Sequence, residues 1–108
     1  IVGDVTGKTV LLIDDMVDTG GSVSSCVKAL QGFGAREDVY LATTHAVFSG
    51  PAVERLSQAG FKEVVVTDTM PIPESKHFDG LTVLSAADLL SEAIKRNYDN
   101  KSISSLYL

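Results

Sequence analysis

The chain is organised around the segment Val10-Leu11-Leu12-Ile13-Asp14-Asp15-Met16-Val17-Asp18-Thr19-Gly20-Gly21-Ser22. Its first four residues are apolar, which predicts a strand buried on both faces, as in a parallel sheet. Apolar residues then recur at spacings of three and four, which predicts a helix over residues 21–33. Strand, glycine-containing turn and helix form half of a βαβ unit, and ligands of open α/β sheets bind at the carboxyl ends of the strands.

The turn at residues 18–22 has a composition that suits a phosphate group. Gly20 and Gly21 leave the main chain open to a ligand, and the amides that begin the next helix are unpaired and lie at the positive end of its dipole. Thr19 and Ser22 could add hydroxyl donors. Asp18 would repel a phosphate if it pointed inward, so we expect its side chain to cap amides of the turn or the helix.

Two adjacent carboxylates, Asp14 and Asp15, follow the apolar run. Ionised carboxylates only accept hydrogen bonds, so the pair suits the vicinal hydroxyls of a sugar or a hydrated Mg²⁺. Hydroxyls at the acids and a phosphate at the turn together imply a sugar phosphate as the ligand. The general pattern alone is equally typical of a solvated turn that binds nothing.

The rest of the sequence continues the alternation of strands and helices. We expect further strands at residues 38–43, 63–67 and 81–84, and further helices starting at residues 49–51 and 85–88. Residues 70–80, which include two prolines, are predicted to be the most mobile loop. The pattern predicts an α/β fold in one domain, a mostly parallel open sheet with helices on both faces.

Composition limits the classes of function. The net charge of −5 argues against nucleic acid as the main partner, and no apolar run is long enough to span a membrane. The single cysteine, Cys26, is expected in the core, which fits a reducing, cytoplasmic setting.

His45 is expected to be a hydrogen-bonded structural residue and His77 to be solvated. A P-loop at residues 3–9 is rejected, since its spacing is one residue short and it precedes the strand.

Several segments resemble a known family. Residues 14–22 resemble the phosphoribosyl-diphosphate motif of the type I phosphoribosyltransferase fold. The chain is more narrowly similar to the C-terminal part of the ribose-phosphate diphosphokinase family, through the segments Thr44-His45-Ala46-Val47-Phe48-Ser49-Gly50-Pro51-Ala52, Val64-Val65-Val66-Thr67-Asp68-Thr69 and Ser102-Ile103-Ser104-Ser105-Leu106-Tyr107. The resemblance covers essentially all 108 residues.

The resemblance implies an activity, the transfer of diphosphate from Mg·ATP to ribose 5-phosphate. It places the ribose hydroxyls on Asp14 and Asp15, directly or through Mg²⁺, and the 5-phosphate on residues 18–22. It identifies residues 1–108 as a C-terminal domain that lacks the ATP-binding N-terminal half, so we expect this chain to be inactive by itself, with no principal catalyst among its residues.

The resemblance also implies regulation and assembly. Ser102, Ser104 and Tyr107 match positions that contribute to a regulatory phosphate or ADP site between subunits, and members of the family form dimers that build hexamers. Three alternatives stay open at this point: a nucleobase phosphoribosyltransferase, a non-catalytic regulatory paralogue that binds phosphate, and a signalling receiver domain. The last is disfavoured because no lysine follows at a later strand end.

Overall fold

A computed structural model describes residues 2–107, so the predicted domain of residues 1–108 extends one residue beyond this range at each end. Strands and helices alternate along the chain except between β3 and β4, which a loop with a short 3₁₀ turn connects. They are β1 (Val10–Val17), α1 (Gly21–Gly32), β2 (Val39–Ala46), α2 (Ala52–Gln58), β3 (Glu63–Thr67), β4 (Leu81–Leu84) and α3 (Ala87–Tyr98), with short 3₁₀ turns at Glu74–Lys76 and Ser104–Tyr107.

The four strands form one sheet in the order β1-β2-β3-β4, and all three neighbouring pairs are parallel. The register places Leu12 beside Leu41, Leu41 beside Val64 and Val64 beside Leu81, so one apolar row crosses the whole sheet. The α/β class and the parallel sheet predicted from the sequence are confirmed. Parallel pairing brings the carboxyl ends of all four strands to one edge.

Helices α1 and α2 cover one face of this sheet. Each successive strand is added on the same side of the previous one, and right-handed crossovers then place both connecting helices on the same face. The main core lies beneath them, and its members include Leu41, Phe48, Leu56 and Val66. Within α1 the buried positions are Val23, Val27 and Leu30, whereas Cys26 is exposed. The prediction of a core cysteine is therefore wrong, because Cys26 lies beside the buried stripe of the helix.

The opposite face carries exposed apolar side chains on β1. Leu11 is 56% exposed and Ile13 is 79% exposed, while Leu12 between them packs against the core. This alternation contradicts the prediction that β1 is buried on both faces, since in residues 2–107 only the face that carries Leu12 is covered. Helix α3 carries the apolar residues Leu89, Leu90, Ala93 and Ile94, but it has no buried residue.

Two strands extend further than their apolar runs. β1 continues through Asp14 and Asp15 to Val17, and β2 continues to Ala46, because the ladder is formed by backbone groups whatever the side chain. β3 and β4 have the predicted bounds.

The loop of residues 70–80 packs Phe78 against the core, with its ring centroid 6.3 Å from that of Phe48. No helix within residues 2–107 combines the length and the apolar character that crossing a membrane requires.

Candidate phosphate-binding site

A cleft of about 190 Å³ lies where β1 ends and α1 begins. Its lining is one nearly continuous segment of the chain: Asp14, Met16, Val17, Asp18, Thr19, Gly20, Gly21, Ser22 and Val23. The structure thus brings together six of the seven residues that the sequence proposed for a sugar phosphate; Asp15 is the exception. Met16, Val17 and Val23 were not among the proposed residues, and they contribute the apolar part of the wall.

The turn of residues 18–22, called the phosphate turn below, presents unpaired amides. Gly20 is the N-cap of α1, with φ of 74°, and no side chain caps this helix. The first helical bond runs from the Ser24 N–H to the Gly20 carbonyl at 3.1 Å. In the part of the chain that the structure describes, the N–H groups of Gly21, Ser22 and Val23 have no acceptor. Three unpaired donors at the positive end of a helix favour an anion.

Asp18 does not cap the helix, so the prediction for its side chain is wrong. Its backbone carbonyl has a structural role instead. Three successive carbonyl groups, from Val17 to Thr19, are held by the segment between β2 and α2 and by helix α2 itself. The Val17 oxygen accepts two backbone N–H groups at 3.1 Å, the Asp18 oxygen accepts the Ser49 N–H at 2.9 Å, and the Thr19 oxygen accepts Nη1 of Arg55 at 3.1 Å. The turn is therefore anchored along its length.

The two acids of β1 have different positions. Because side chains alternate along a strand, Asp14 shares the face of Leu12 and lines the cleft, whereas Asp15 shares the opposite face with Ile13 and does not line it. Asp14 Oδ1 accepts the Asp15 N–H at 2.9 Å, and Asp15 Oδ1 accepts the Met16 N–H at 2.8 Å. Both carboxylates are exposed and keep free acceptor capacity.

The whole chain, residues 1–108, matches the family described as phosphoribosyl synthetase-associated domain. The chain belongs to this family. Ribose-phosphate pyrophosphokinase from Nostoc sp. is 56% identical over 107 residues, which cover 99% of this chain and 32% of that protein. Ribose-phosphate pyrophosphokinase 1 from Spinacia oleracea is 50% identical over 107 residues, again covering 99% and 32%.

A solved structure agrees with these relatives. The crystal structure of phosphoribosylpyrophosphate synthetase from Mycobacterium smegmatis has a TM-score of 0.87 and 52% sequence identity, and the match covers 92% of this chain and 33% of that one. The family resemblance inferred from the sequence is confirmed. The chain spans about a third of the length of the curated relatives that it matches.

The tail of this phosphoribosyl synthetase-associated domain lies away from the cleft lining. Arg96 of α3 donates through Nη1 to the Ser102 carbonyl at 3.1 Å and to the Ser105 hydroxyl, and that hydroxyl bonds the Ser102 carbonyl at 3.0 Å. The structure folds residues 104–107 into a 3₁₀ turn. The side chains of Ser102, Ser104 and Tyr107 are exposed, and their regulatory role stays a prediction.

Polar side chains at the ends of β2 and β3 form a network of their own. His45 Nδ1 lies 2.7 Å from Thr69 Oγ1, and the hydroxyls of Thr67 and Thr69 both bond the Thr44 carbonyl, at 2.7 and 3.2 Å. His45 is therefore hydrogen-bonded, as predicted, and its structural role stays a prediction. His77 is exposed, with Nε2 at 3.4 Å from the Ile72 carbonyl.

Asp68, at the end of β3, joins the sheet to the start of α3. Its Oδ1 accepts the Ala86 N–H at 2.7 Å, and this bond, followed by that from the Ser85 hydroxyl, lowers the pKa of Asp68 below its ordinary value. A lowered pKa in the folded state means that the stabilisation is present above the unfolded-state pKa and is lost as the pH falls through the folded-state pKa.

We expect the Ala86 N–H chemical shift to titrate with Asp68, at a midpoint below that of an ordinary aspartate. The measurement is a series of ¹H–¹⁵N spectra between neutral and acidic pH. The variant Asp68→Asn keeps an acceptor and should abolish the titration at Ala86. A midpoint at or above the ordinary aspartate value would contradict the assignment.

Proposed function

We propose that this chain provides the ribose 5-phosphate site of a ribose-phosphate pyrophosphokinase, which transfers diphosphate from ATP to ribose 5-phosphate. The observation that carries the proposal is the cleft, whose lining includes both Asp14 and the residues of the phosphate turn with their unpaired amides. A donor set and an acceptor in one small cleft match the two ends of a sugar phosphate. The relatives' names support the reaction class.

The phosphate turn is proposed to hold the 5-phosphate. The N–H groups of Gly21, Ser22 and Val23 would donate to its oxygens, supported by the α1 dipole and by the hydroxyls of Thr19 and Ser22. Asp18 lines the same cleft with an exposed carboxylate, so it would have to point away from the bound phosphate. The affinity for the substrate would come mainly from these donors.

Asp14 is proposed to orient the ribose. Its carboxylate would accept a ribose hydroxyl directly or hold a hydrated Mg²⁺, an ion that proteins often bind through one or two carboxylates together with water and substrate oxygens. No group of three acidic, histidine or cysteine side chains that could hold a metal is found in residues 2–107, so a metal bound at Asp14 would take most of its ligands from water and substrate. When bound, Mg²⁺ would neutralise charge on the phosphate groups. Asp15 would contribute from the neighbouring position on β1.

Charge neutralisation of the transferred diphosphoryl group would come from elsewhere. The cleft lining includes no lysine or arginine, yet phosphoryl transfer depends on positioning and on positive charge near the transferred group. This supports an ATP site in the part of the relatives that this chain does not match. Assembly into dimers or hexamers, regulation by phosphate or ADP through Ser102, Ser104 and Tyr107, and a cytoplasmic location are further parts of the proposal.

One other candidate function is favoured by the same observation. A cleft without basic side chains suits a phosphate-binding domain that performs no transfer. A nucleobase phosphoribosyltransferase would share the phosphate turn, but the relatives at 50–56% identity over nearly the whole chain are named pyrophosphokinases. The Mycobacterium smegmatis structure, described as a phosphoribosylpyrophosphate synthetase, points the same way.

The test is a titration of the ¹⁵N-labelled protein with ribose 5-phosphate. We expect saturable shifts of the Gly21, Ser22 and Val23 amides, because these donors would acquire an acceptor. Ribose without the phosphate should shift them only weakly, and inorganic phosphate should reproduce most of the change. Unchanged spectra in this turn, or shifts confined to the amides of residues 102–107, would refute the proposed site.

A further inference from the structure

We propose that Arg55, on α2, is a positioning residue that sets the orientation of the phosphate turn. This inference rests on the proposed function and adds to it a residue outside the cleft. Arg55 donates from Nη1 to the Thr19 carbonyl at 3.1 Å, a contact between residues 36 positions apart in the sequence. Within residues 2–107 no other side chain donates to a carbonyl of residues 17–20.

The contact determines where an amide points. Carbonyl and N–H groups of one trans peptide lie on opposite sides of the chain, and residues 2–107 contain no cis peptide bond. The Thr19 carbonyl and the Gly20 N–H belong to the same peptide group. When the guanidinium holds the Thr19 oxygen, the Gly20 N–H therefore points away from Arg55. Fixing the plane of the Thr19–Gly20 peptide also fixes the direction from which the chain enters α1.

Arg55 lies on the side of the turn away from the cleft. It is not part of the cleft lining, and with Lys28, Gly21, Ser24 and Ser25 it borders a separate surface depression. Its Nη1 would be 3.4 Å from a Cβ added at Gly21, so the guanidinium packs directly behind the turn. Arg55 thus acts on the phosphate through the backbone and not by touching it.

A cation also suits the carbonyl electrostatically. A guanidinium is always charged, and hydrogen bonds from charged donors are roughly twice as strong as those between neutral groups. The bond polarises the Thr19–Gly20 peptide, which makes the Gly20 N–H, a further amide of the phosphate turn with no acceptor in residues 2–107, a better donor. The side chain therefore couples the second crossover helix to the anion site at the start of the first.

The experiment compares three variants in the same ribose 5-phosphate titration. Arg55→Met removes the bond and the charge but keeps a long flexible side chain. Lys28→Met is the matched control, because it removes one positive charge from the same depression and Lys28 makes no hydrogen bond or ion pair within residues 2–107. Arg55→Lys keeps the charge and one donor.

We expect Arg55→Met to weaken ribose 5-phosphate binding by about tenfold or more, the scale of one charge-assisted hydrogen bond. Lys28→Met should change it by less than about twofold, since exposed charges are screened, and Arg55→Lys should restore binding to within about threefold of wild type. The thermal midpoint should change little in all three variants, because Arg55 and Lys28 are exposed.

The outcomes separate this inference from the proposed function. If the wild-type protein binds no ribose 5-phosphate, the proposed site itself fails. If wild type binds and Arg55→Met binds equally well, only the role of Arg55 is overturned. Equal weakening in Arg55→Met and Lys28→Met would show a general effect of charge and would overturn the positioning role, as would a failure of Arg55→Lys to restore binding.

Discussion

Replacing Gly20 with valine is expected to abolish the binding of ribose 5-phosphate to the phosphate turn. Gly20 has φ of 74°, a conformation that costs a residue with a Cβ roughly 1–2 kcal/mol and is a true outlier for a β-branched one. The site is also crowded. A Cβ at Gly20 would lie 3.5 Å from the Ala52 carbonyl oxygen and 3.5 Å from Leu56 Cγ, so the two further methyl groups of valine would press on α2.

The turn can relieve this strain only by moving. A movement that separates Gly20 from α2 would also change the direction of the amides at the start of α1, which the proposed site requires to converge on one phosphate. Overpacking typically adds ~1–3 kcal/mol to the cost, so we expect lower thermal stability together with lost binding. The measurement combines the titration with a thermal melt.

A matched control is available at Gly7. Its φ of 67° is close to that of Gly20, but a Cβ there meets nothing within 4 Å. Gly7→Val should therefore lower the free energy of unfolding through a similar backbone strain. It should retain the shifts of the turn amides on titration with ribose 5-phosphate. Should Gly20→Val not fold, Gly20→Ala supplies the backbone strain with a single added carbon at ordinary van der Waals distances, and weakened binding is expected. Wild-type affinity in a folded Gly20 variant would remove the turn from the proposed site.

The sequence predicted those parts of the fold that depend on local pattern. The β-branched run of β3 and the apolar run of β4 gave the observed bounds, and the apolar spacing of α1 placed its end within one residue. Burial was predicted less well, because it depends on which faces of the strands are covered. An apolar run such as residues 10–13 has the same composition whether one face or both faces of the strand are covered, and only the exposure of Leu11 and Ile13 in the folded chain shows that one face of β1 is uncovered.

The candidate site was also predicted from local sequence pattern, as far as its residues are contiguous in the chain. Residues 18–22 are contiguous, so glycines, hydroxyls and a helix start within five positions were enough to propose an anion site. No such pattern marks Arg55 in the sequence. Its contact with Thr19 joins helix α2 to the turn after β1, and only folding brings these two segments together. The different faces of Asp14 and Asp15 could have been inferred from strand alternation, but the prediction ended the strand at Ile13.

Because Asp14 lines the cleft and Asp15 does not, substitution of Asp14 is expected to have the second large effect, a loss of turnover. We expect Asp14→Asn to cause a severe loss of turnover with ribose 5-phosphate, measured at saturating Mg·ATP in a ribose-phosphate pyrophosphokinase of full length that carries this chain. Asparagine keeps the size but removes the charge, and each charge-assisted hydrogen bond to the ribose lost in this way should cost about 1.5–3 kcal/mol. Since Asp14 lines the cleft, orientation of the acceptor hydroxyl should fail.

Asp15→Asn is the neighbouring comparison, with the same change of charge one position along β1. Its carboxylate lies outside the cleft lining, so we expect a smaller loss of turnover, and the double variant should resemble Asp14→Asn. Inorganic phosphate should still bind the turn in all three variants, slightly more tightly where a nearby negative charge has gone. Equal losses in the two single variants would indicate that the charge of the strand end matters and not a contact in the cleft. Near-normal turnover in the double variant would mean that both acids are solvated strand residues, and the sugar part of the site would have to be sought elsewhere.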